Sequence, residues 1–138
     1  MTLSRPVRVG SYDLLQDFEN TKASVRVFRI RAEEHAVHRH MHAKSTQIYI
    51  ALQGRALIEI DGVFTPLEPY GCISVPIGAY HSAQPAGDEE VVLMNISTPP
   101  LGPDDQAPAG PPPSRNDYTL PTEGSDIWEK VMRVRDRL

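Results

Sequence analysis

The chain has little cysteine, no long apolar run and no excess of basic residues, and each of these absences argues against a class of protein. It has one cysteine, Cys72, among 138 residues, so no internal disulfide can form and a reduced, cytoplasmic setting is expected. Residues 1–6 have no apolar core like that of a signal peptide, and no stretch approaches the length of a membrane span. Lys and Arg total 14 against 18 Asp and Glu, a net charge of −4 that does not suggest a nucleic-acid surface. We therefore expect no membrane and no nucleic-acid partner, and we expect Cys72 to be a small buried hydrophobe rather than a nucleophile.

Short extended segments separated by turn residues make up most of the chain. Val25 and Val27 alternate with Arg26 and Phe28, which predicts a strand. Asp61-Gly62 lies between two alternating segments and is a strong signal for a two-residue hairpin turn. Short strands with little helix predict an all-β fold, a single-domain antiparallel barrel or sandwich. Besides a histidine-bearing strand near residue 40, strands are expected over 24–31, 46–52, 55–60, 63–67, 71–75, 80–83 and 89–97, with 71–75 and 80–83 paired.

Composition divides the chain into four stretches. Seven prolines between Thr98 and Ser114 predict an extended connector outside the sheet, because proline fixes φ and removes a backbone donor. Ser125 can cap a short C-terminal helix that runs to Leu138, with acidic residues near its start and arginines near its end. The expected organisation is a lead-in segment at 1–23 with one or two helical turns over Tyr12 to Glu19, the barrel at 24–97, the connector at 98–114 and the helix-bearing segment at 115–138.

His40-Met41-His42 is the most informative sequence feature. Residues two apart on a strand point to the same side, so both imidazoles can aim at one point, and His81 can supply a third from a distant segment. Three imidazoles with open positions predict a metal site. A register that uses His38 and His40 instead is an alternative, but the distances to Gln47 and Gly54 favour the later pair.

Gln47 lies five residues after His42, so on one unbroken strand it would face the opposite side. The polar segment 43–45 can form a bend that corrects this, after which Thr46 to Leu52 predicts a new strand. Gln47, Tyr49 and Ala51 would then share the inner face, with Tyr49 near the metal.

These residues resemble the two motifs of the cupin family. The first is usually Gly, His-x-His, three or four residues, Glu, six residues and Gly; here His40, His42, Gln47 and Gly54 fall at those spacings. The second is usually Gly, five residues, Pro-x-Gly, two residues, His, three residues and Asn; here Pro76, Gly78 and His81 match. Three positions depart from the family pattern: Gln47 replaces the glutamate, Pro85 replaces the asparagine, and Gly71 is displaced by one residue. The resemblance, over about residues 24–97, implies a jelly-roll barrel of six to eight strands with one divalent metal, and similar cupins are commonly homodimers.

The exchange of glutamate for Gln47 changes the charge of the expected centre. His40, His42, His81 and Gln47 are all neutral ligands, so a divalent ion would keep its full charge and attract an anion. Gln47 could instead stand back from the metal and hydrogen-bond the substrate. Imidazole and oxygen ligands suit Fe, Mn, Ni, Zn or Cu and do not identify the ion.

Several functions fit this pattern. The first is a metal-dependent enzyme, by resemblance a dioxygenase that acts on a small organic anion such as a β-dicarbonyl or an enolisable acid. Tyr49 or His38 would move a proton, although His38 is equally well explained as a partly exposed polar residue. The same Lewis acid would support an isomerase or lyase, and a non-catalytic small-molecule binder or sensor is the alternative from another class. A metal-free sugar-nucleotide epimerase would need a different His-Tyr pair.

Overall fold

The computed structural model describes residues 5–9, 12–32, 37–102 and 104–108, with the side chain of His38 left out. All regular structure in these ranges is β-strand. None of the described residues forms a helix long and apolar enough to cross a membrane. The strands are β1 (Val7–Val9), β2 (Tyr12–Glu19), β3 (Ser24–Ile30), β4 (Val37–Met41), β5 (Thr46–Gln53), β6 (Ala56–Ile60), β7 (Val63–Leu67), β8 (Cys72–Val75), β9 (His81–Pro85), β10 (Val91–Thr98) and β11 (Ala107–Pro108).

The strands form two antiparallel sheets that enclose one core. The larger sheet has the order β1-β2-β3-β10-β5-β8, and the smaller has the order β11-β4-β9-β6-β7. Both sheets contribute inward residues, such as Phe28 and Leu93 from the larger and Ile58 and Ala83 from the smaller. This confirms the expected all-β jelly-roll barrel, in which alternate residues of each strand face the core.

The interior of the larger sheet changes from polar to apolar along its strands. Successive inward rows across β5, β10 and β3 consist of Gln47, Ser97 and Ser24, then Tyr49, Asn95 and Arg26, then Ala51, Leu93 and Phe28. The apolar row packs in the core, and the two polar rows lie at one end of the barrel. The cavity at that end is lined by polar and apolar side chains together.

The turn at Asp61-Gly62 closes the hairpin of β6 and β7 as predicted. Ile60 pairs with Val63, and Asp61 and Gly62 have φ values of 48° and 89°, as a type I′ turn requires. The expected pairing of the strands at 71–75 and 80–83 is wrong, because β8 pairs with β5 and β9 pairs with β4 and β6. Residues 76–80 therefore cross between the sheets and bring His81 to the opposite wall of the barrel.

Two motif positions show why glycine is favoured there. Gly54 has a φ of 74°, and a Cβ added to it would lie 2.4 Å from the carbonyl oxygen of Glu90. The second motif usually places its glycine six positions before Pro76, which is Tyr70 in this chain. Tyr70 has a φ of 67° and an exposed side chain, so it occupies the left-handed conformation that glycine adopts without strain.

The helical turns expected over Tyr12 to Glu19 are wrong, because this segment is strand β2 and pairs with β1 and β3. A register shift between Leu14 and Gln16 interrupts the inside-outside alternation of β2. The sequence of this strand therefore lacks the alternation of apolar and polar residues that would have identified it. Cys72 is exposed rather than buried. It pairs with Ile50, and its neighbour Ile73 takes the inward position.

The proline-rich stretch is not wholly outside the sheet. Ala107–Pro108 forms β11, which pairs with Met41 and His40 of β4. The chain thus returns to the histidine-bearing strand after leaving the barrel at Thr98. The helix expected from Ser125 to Leu138 lies outside the described residues, and the proposed domain boundaries stay predictions.

A buried carboxylate ties the first three strands together on the far side of the larger sheet. Asp13 is 3% exposed and accepts hydrogen bonds from Arg31 at 2.9 Å, from Arg29 at 3.1 Å and from Arg8 at 3.3 Å. The Arg31 hydrogen bond contributes most to lowering the pKa of Asp13 from 3.8 to about 2; burial opposes it, and the other two arginines assist it.

Candidate metal centre

The structure brings His40, His42 and His81 together. His40 lies near the end of β4, His42 follows that strand, and His81 begins β9 directly opposite His40. The ring centroids are 4.7 Å apart for His40 and His42, 4.4 Å for His40 and His81, and 5.2 Å for His42 and His81. One nitrogen of each ring lies within 4.8 Å of the others, and all three residues are buried. Three neutral imidazoles at this spacing can share one cation.

The tautomer of His42 is set by Asp105, a residue outside the two histidine motifs. Its Nδ1 forms a hydrogen bond with the backbone carbonyl of Asp105, so Nδ1 carries the proton. Its Nε2 is buried and has no hydrogen-bond partner among the described residues. A buried nitrogen with an unused lone pair is costly unless a cation or donor meets it. Nε2 of His42 is therefore available to a cation or a donor in the space between the three rings.

His81 is held as a neutral ring. Burial, and then the charge of His40, lowers the pKa of His81 to about 3. Its Nδ1 lies 3.0 Å from the carbonyl oxygen of Ala79, and its Nε2 lies 2.9 Å from Oε1 of Gln47. A neutral imidazole has a single N–H and can satisfy only one of these acceptors. With Nδ1–H donated to Ala79, a cation shared by Nε2 and Oε1 would satisfy both atoms.

Gln47 is fixed with its oxygen toward the imidazoles. Its Nε2 donates to Oδ1 of Asn95 at 3.0 Å and to Oγ of Ser97 at 2.9 Å, which uses both amide hydrogens. Its Oε1 is thereby aimed at His81. The 2.9 Å between Oε1 and His81 Nε2 is close to the separation of two adjacent ligands that each lie about 2.1 Å from one ion.

Tyr49 lies beside this cluster, on the inner face as predicted. Its ring centroid is 6.0 Å from that of His81, and its side chain lines the adjoining cavity. Burial, assisted by nearby Tyr12, raises the pKa of the Tyr49 hydroxyl above its ordinary value, so the group stays protonated near neutral pH. His38 is part of β4, but its side chain lies outside what the structure describes.

Asp105 is a site residue that the sequence reasoning missed. Its carboxylate accepts hydrogen bonds from the backbone N–H groups of Ala43 at 2.6 Å, Lys44 at 3.0 Å and Ser45 at 2.9 Å. These are the residues of the bend between His42 and Gln47. Burial raises the pKa of the Asp105 carboxyl, but the backbone hydrogen bonds outweigh burial and hold that pKa below its ordinary value. A carboxylate from the proline-rich stretch thus holds the bend that places Gln47 on the metal-facing side.

A cavity of about 240 Å³ adjoins the cluster. Its walls include the predicted His40, His42, Gln47 and Tyr49, together with Asn95 and Arg26, which were not predicted as site residues. Its volume is below the ~300–1,000 Å³ of sites for drug-sized ligands, so it suits a small organic molecule. No carboxylate among the described residues joins the three-histidine group.

The donor set fits a divalent transition metal. His42 offers an unpartnered buried nitrogen, His81 a neutral ring, and Gln47 an oriented oxygen. Such nitrogen and oxygen donors suit Fe, Mn, Ni, Zn or Cu without distinguishing them. The site can therefore hold one such ion on His40, His42 and His81, with Gln47 placed as a fourth donor.

Comparison with known proteins agrees with this geometry. The family model for the cupin domain matches residues 26–97, more than half of the chain, so the protein belongs to the cupin family. No curated protein matches the chain in sequence. The resemblance inferred from the histidine motifs is therefore confirmed by the family match and by the fold.

Solved structures share the fold at low sequence identity. A formate complex of oxalate decarboxylase from Lactobacillus farciminis is 17% identical, with a TM-score of 0.63 over 75% of this chain and 32% of that chain. Pac13 from Streptomyces, a nucleoside dehydratase, is 12% identical, with a TM-score of 0.66 over 78% of this chain and 86% of that chain. The cupin domain of Schizosaccharomyces pombe Cnp3 is 18% identical, with a TM-score of 0.58 over 68% of this chain and 67% of that chain. The chain spans only about a third of the oxalate decarboxylase, and these likenesses define the fold alone.

Proposed function

We propose that this protein is a metal-dependent enzyme that binds a small organic anion at the centre formed by His40, His42, His81 and Gln47. The observation that supports it is the buried Nε2 of His42, which has no partner among the described residues and faces two further imidazoles. A structural histidine in a core normally has both ring nitrogens satisfied. Here the carbonyl of Asp105 takes the Nδ1 proton and leaves Nε2 for a ligand role.

The charge of the donors favours an anionic ligand. None of the four donors carries a negative charge, so a divalent ion on them keeps its +2 charge. The walls of the adjoining cavity include apolar residues such as Phe28 and Val37, which strengthen electrostatic attraction relative to open water. A carboxylate or enolate that reaches the ion would gain strongly from this arrangement, which supports β-dicarbonyls and enolisable acids as substrates.

The metal, when bound, would hold the anion through its oxygens and bring it together with a second reactant such as dioxygen. Tyr49 has a protonated hydroxyl next to the cavity, so it can donate to an oxygen of the ligand. Its raised pKa makes it a donor rather than a base at neutral pH. His38 remains a candidate second proton carrier from the sequence.

Within this class we propose a dioxygenase. A carbon–carbon bond of the β-dicarbonyl would break, dioxygen would be the oxidant, and one of its oxygen atoms would enter each fragment. No other oxidant or reductant is then required. The resemblance to metal-dependent cupins suggests this reaction, and the neutral donor set supports it because an enolate would bind to such an ion.

Oxygen uptake by the metal-replete protein tests the proposal. With a panel of β-dicarbonyls and 2-oxo acids, we expect at least one substrate to consume about one dioxygen per molecule converted. His81→Gln should abolish uptake, and Tyr49→Phe should slow it about 10²-fold, while Tyr70→Phe, an exposed control, should not.

Three other results would assign the protein differently. Substrate conversion without dioxygen would replace the dioxygenase by an isomerase or lyase. Binding without conversion would indicate a small-molecule binder. Uptake that persists in His81→Gln would contradict a role for the three-histidine centre.

A further inference from the structure

Two side chains on adjacent strands present hydrogen-bond donors that the described protein does not use. Asn95 on β10 and Arg26 on β3 are directly paired across the larger sheet, in the same inward row as Tyr49. Nδ2 of Asn95 and Nε of Arg26 are both buried and have no hydrogen-bond partner. Both residues line the cavity next to the histidines. Paired residues on one face lie about 5 Å apart, close enough to contact one small group.

The free amide nitrogen of Asn95 is a consequence of the glutamine at position 47. Oδ1 of Asn95 accepts from Gln47 Nε2 at 3.0 Å and from Ser97 Oγ at 3.1 Å, so the amide oxygen is fully used. Its nitrogen must then point elsewhere, and Asn95 is only 7% exposed. A glutamate at position 47 would instead accept from Asn95 and occupy this nitrogen. The departure from the family motif therefore keeps the donor set neutral and leaves the Asn95 amide nitrogen without a partner among the described residues.

Arg26 brings a positive charge to the same place. It forms an ion pair with Asp17, whose Oδ1 lies 3.6 Å from Arg26 Nε. That separation gives electrostatic attraction without a hydrogen bond, so the Nε–H remains available. Both side chains in this pair are 39% exposed, and the pairing places Arg26 between Asp17 on one side and Asn95 on the other.

We propose that Asn95 and Arg26 form a carboxylate subsite, which binds the end of the substrate that does not reach the metal. The inference rests on the proposed function for the other end of the ligand, which the three-histidine centre would hold. Arg26 Nε–H and Asn95 Nδ2–H are the two donors, one for each carboxylate oxygen. A guanidinium N–H and an amide N–H side by side suit a carboxylate better than a neutral carbonyl, because the charged bond is the stronger.

The position of the subsite narrows the substrate class. Asn95 is separated from His81 by the single side chain of Gln47, which contacts both. The cavity of about 240 Å³ extends from the histidines to Arg26. A short-chain molecule with an acidic group at each end fits these two anchors. The favoured ligands are therefore short dicarboxylic acids, or oxo acids with a second carboxylate.

Succinate and butyrate are matched probes for this subsite, because butyrate carries a methyl group where succinate carries its second carboxylate. Their affinities are to be measured by calorimetry on the Co(II)-loaded full chain. We expect the wild type to bind succinate at least about tenfold more tightly than butyrate, as a charge-assisted hydrogen bond predicts.

Two variants test the two donors separately. Asn95→Ser removes the amide nitrogen, keeps an oxygen that can accept from Gln47 or Ser97, and adds no charge. Arg26→Gln removes the cation, and Arg55→Gln removes an equal charge from an exposed surface pair as the control. Asn95→Ser and Arg26→Gln should each lower the preference for succinate about tenfold while butyrate and Co(II) affinities stay within twofold. Arg55→Gln should behave as the wild type.

A structural role for Arg26 would lower both acid affinities alike, and that result would overturn the proposal. Equal binding of succinate and butyrate by the wild type would do the same. If Co(II) does not bind, the proposed function fails, and the subsite is judged by NMR on the metal-free chain. Side-chain N–H signals of Asn95 and Arg26 that move with succinate and not with butyrate would support it; signals unmoved by both would overturn it.

Discussion

Replacing Asp105 by alanine tests how the metal centre is coupled to the rest of the fold, because it should lower both stability and metal affinity. The Asp105 carboxylate is the acceptor for three consecutive backbone N–H groups of residues 43–45, and its own carbonyl holds His42. The substitution removes the carboxylate but leaves the carbonyl in the chain. The His42 hydrogen bond then depends on a backbone that is no longer anchored.

The contacts set the size of the expected effect. Ser45 is 2% exposed, so its N–H would lose its acceptor without access to water, which costs about 1–3 kcal/mol. Ala43 and Lys44 are exposed, and water can replace the carboxylate there at a cost of about 0.5–1 kcal/mol each. Asp105→Ala should therefore lower the free energy of unfolding by about 3 kcal/mol. Loosening of the His42 ring should weaken metal binding about 10–100-fold, as for other groups that orient metal ligands.

Urea unfolding and competition with a chromophoric chelator measure the two effects. Asp104→Ala is the matched control, because Asp104 is the exposed neighbour of Asp105 and the same carboxylate group is removed. The control should stay within about 0.5 kcal/mol of the wild type, with unchanged metal affinity. An Asp105→Ala protein that loses stability but binds metal normally would refute the coupling to His42. One that resembles Asp104→Ala in both assays would refute the anchoring role altogether.

Four further substitutions have predicted outcomes. Gln47→Glu should tighten metal binding at least about tenfold and weaken succinate binding. Gln16→Glu, at an exposed position of β2, should do neither. An unchanged succinate affinity in Gln47→Glu would show the charge argument to be wrong. Gly54→Ala should lower the free energy of unfolding in urea by more than about 2 kcal/mol, because strain at a φ of 74° adds to the clash with the Glu90 carbonyl oxygen. Tyr70→Gly should raise the free energy of unfolding by about 0.5–1 kcal/mol, because glycine adopts this conformation without strain. The opposite sign at either position would contradict this explanation of the backbone. Asp13 is stabilising when ionised, so its contribution should be complete above pH 3.8 and fade as the pH falls toward about 2. The stability difference between wild type and Asp13→Asn, about 1–2 kcal/mol once exposure of the arginines is allowed for, should shrink over that range, and a difference that stays constant from pH 7 to pH 2.5 would exclude this linkage.

The core of the site could be predicted because it depends on short-range geometry. His40 and His42 share a face through strand parity, and Gln47 joins them because a bend at 43–45 resets that parity. The structure places the bend where the sequence required one. His81 joined the prediction through the second motif, and the crossover at 76–80 places it opposite His40.

The groups that the sequence could not reveal act across long separations. Asp105 lies 63 positions from His42, and nothing in its proline-rich surroundings indicates that the chain returns there. Arg26 and Asn95 are ordinary strand residues until the register of β3 and β10 pairs them. Their role further depends on Gln47 using the Asn95 oxygen, which a pattern of residue types does not show.

Irregular backbone hid a further part of the fold. The bulge after Leu14 disrupts alternation in β2, so residues of a strand gave a helix-like pattern. The sequence also gave no means to tell that β8 and β9 belong to different sheets. The two segments have the lengths and the separation expected of the strands of a hairpin. They pair with other strands because residues 76–80 cross from one sheet to the other. The homodimer and the cytoplasmic setting stay predictions.

Metal content of the purified full chain is the most direct test of the central claim that three imidazoles converge on one cation. Elemental analysis by mass spectrometry of the wild type, His42→Gln and His81→Gln, each purified without added metal and again after reloading with Co(II), gives the number of ions per chain. We expect about one ion per chain in the reloaded wild type and near zero in both variants. A wild type that stays empty after reloading, or a His81→Gln protein that retains a full ion, would contradict it.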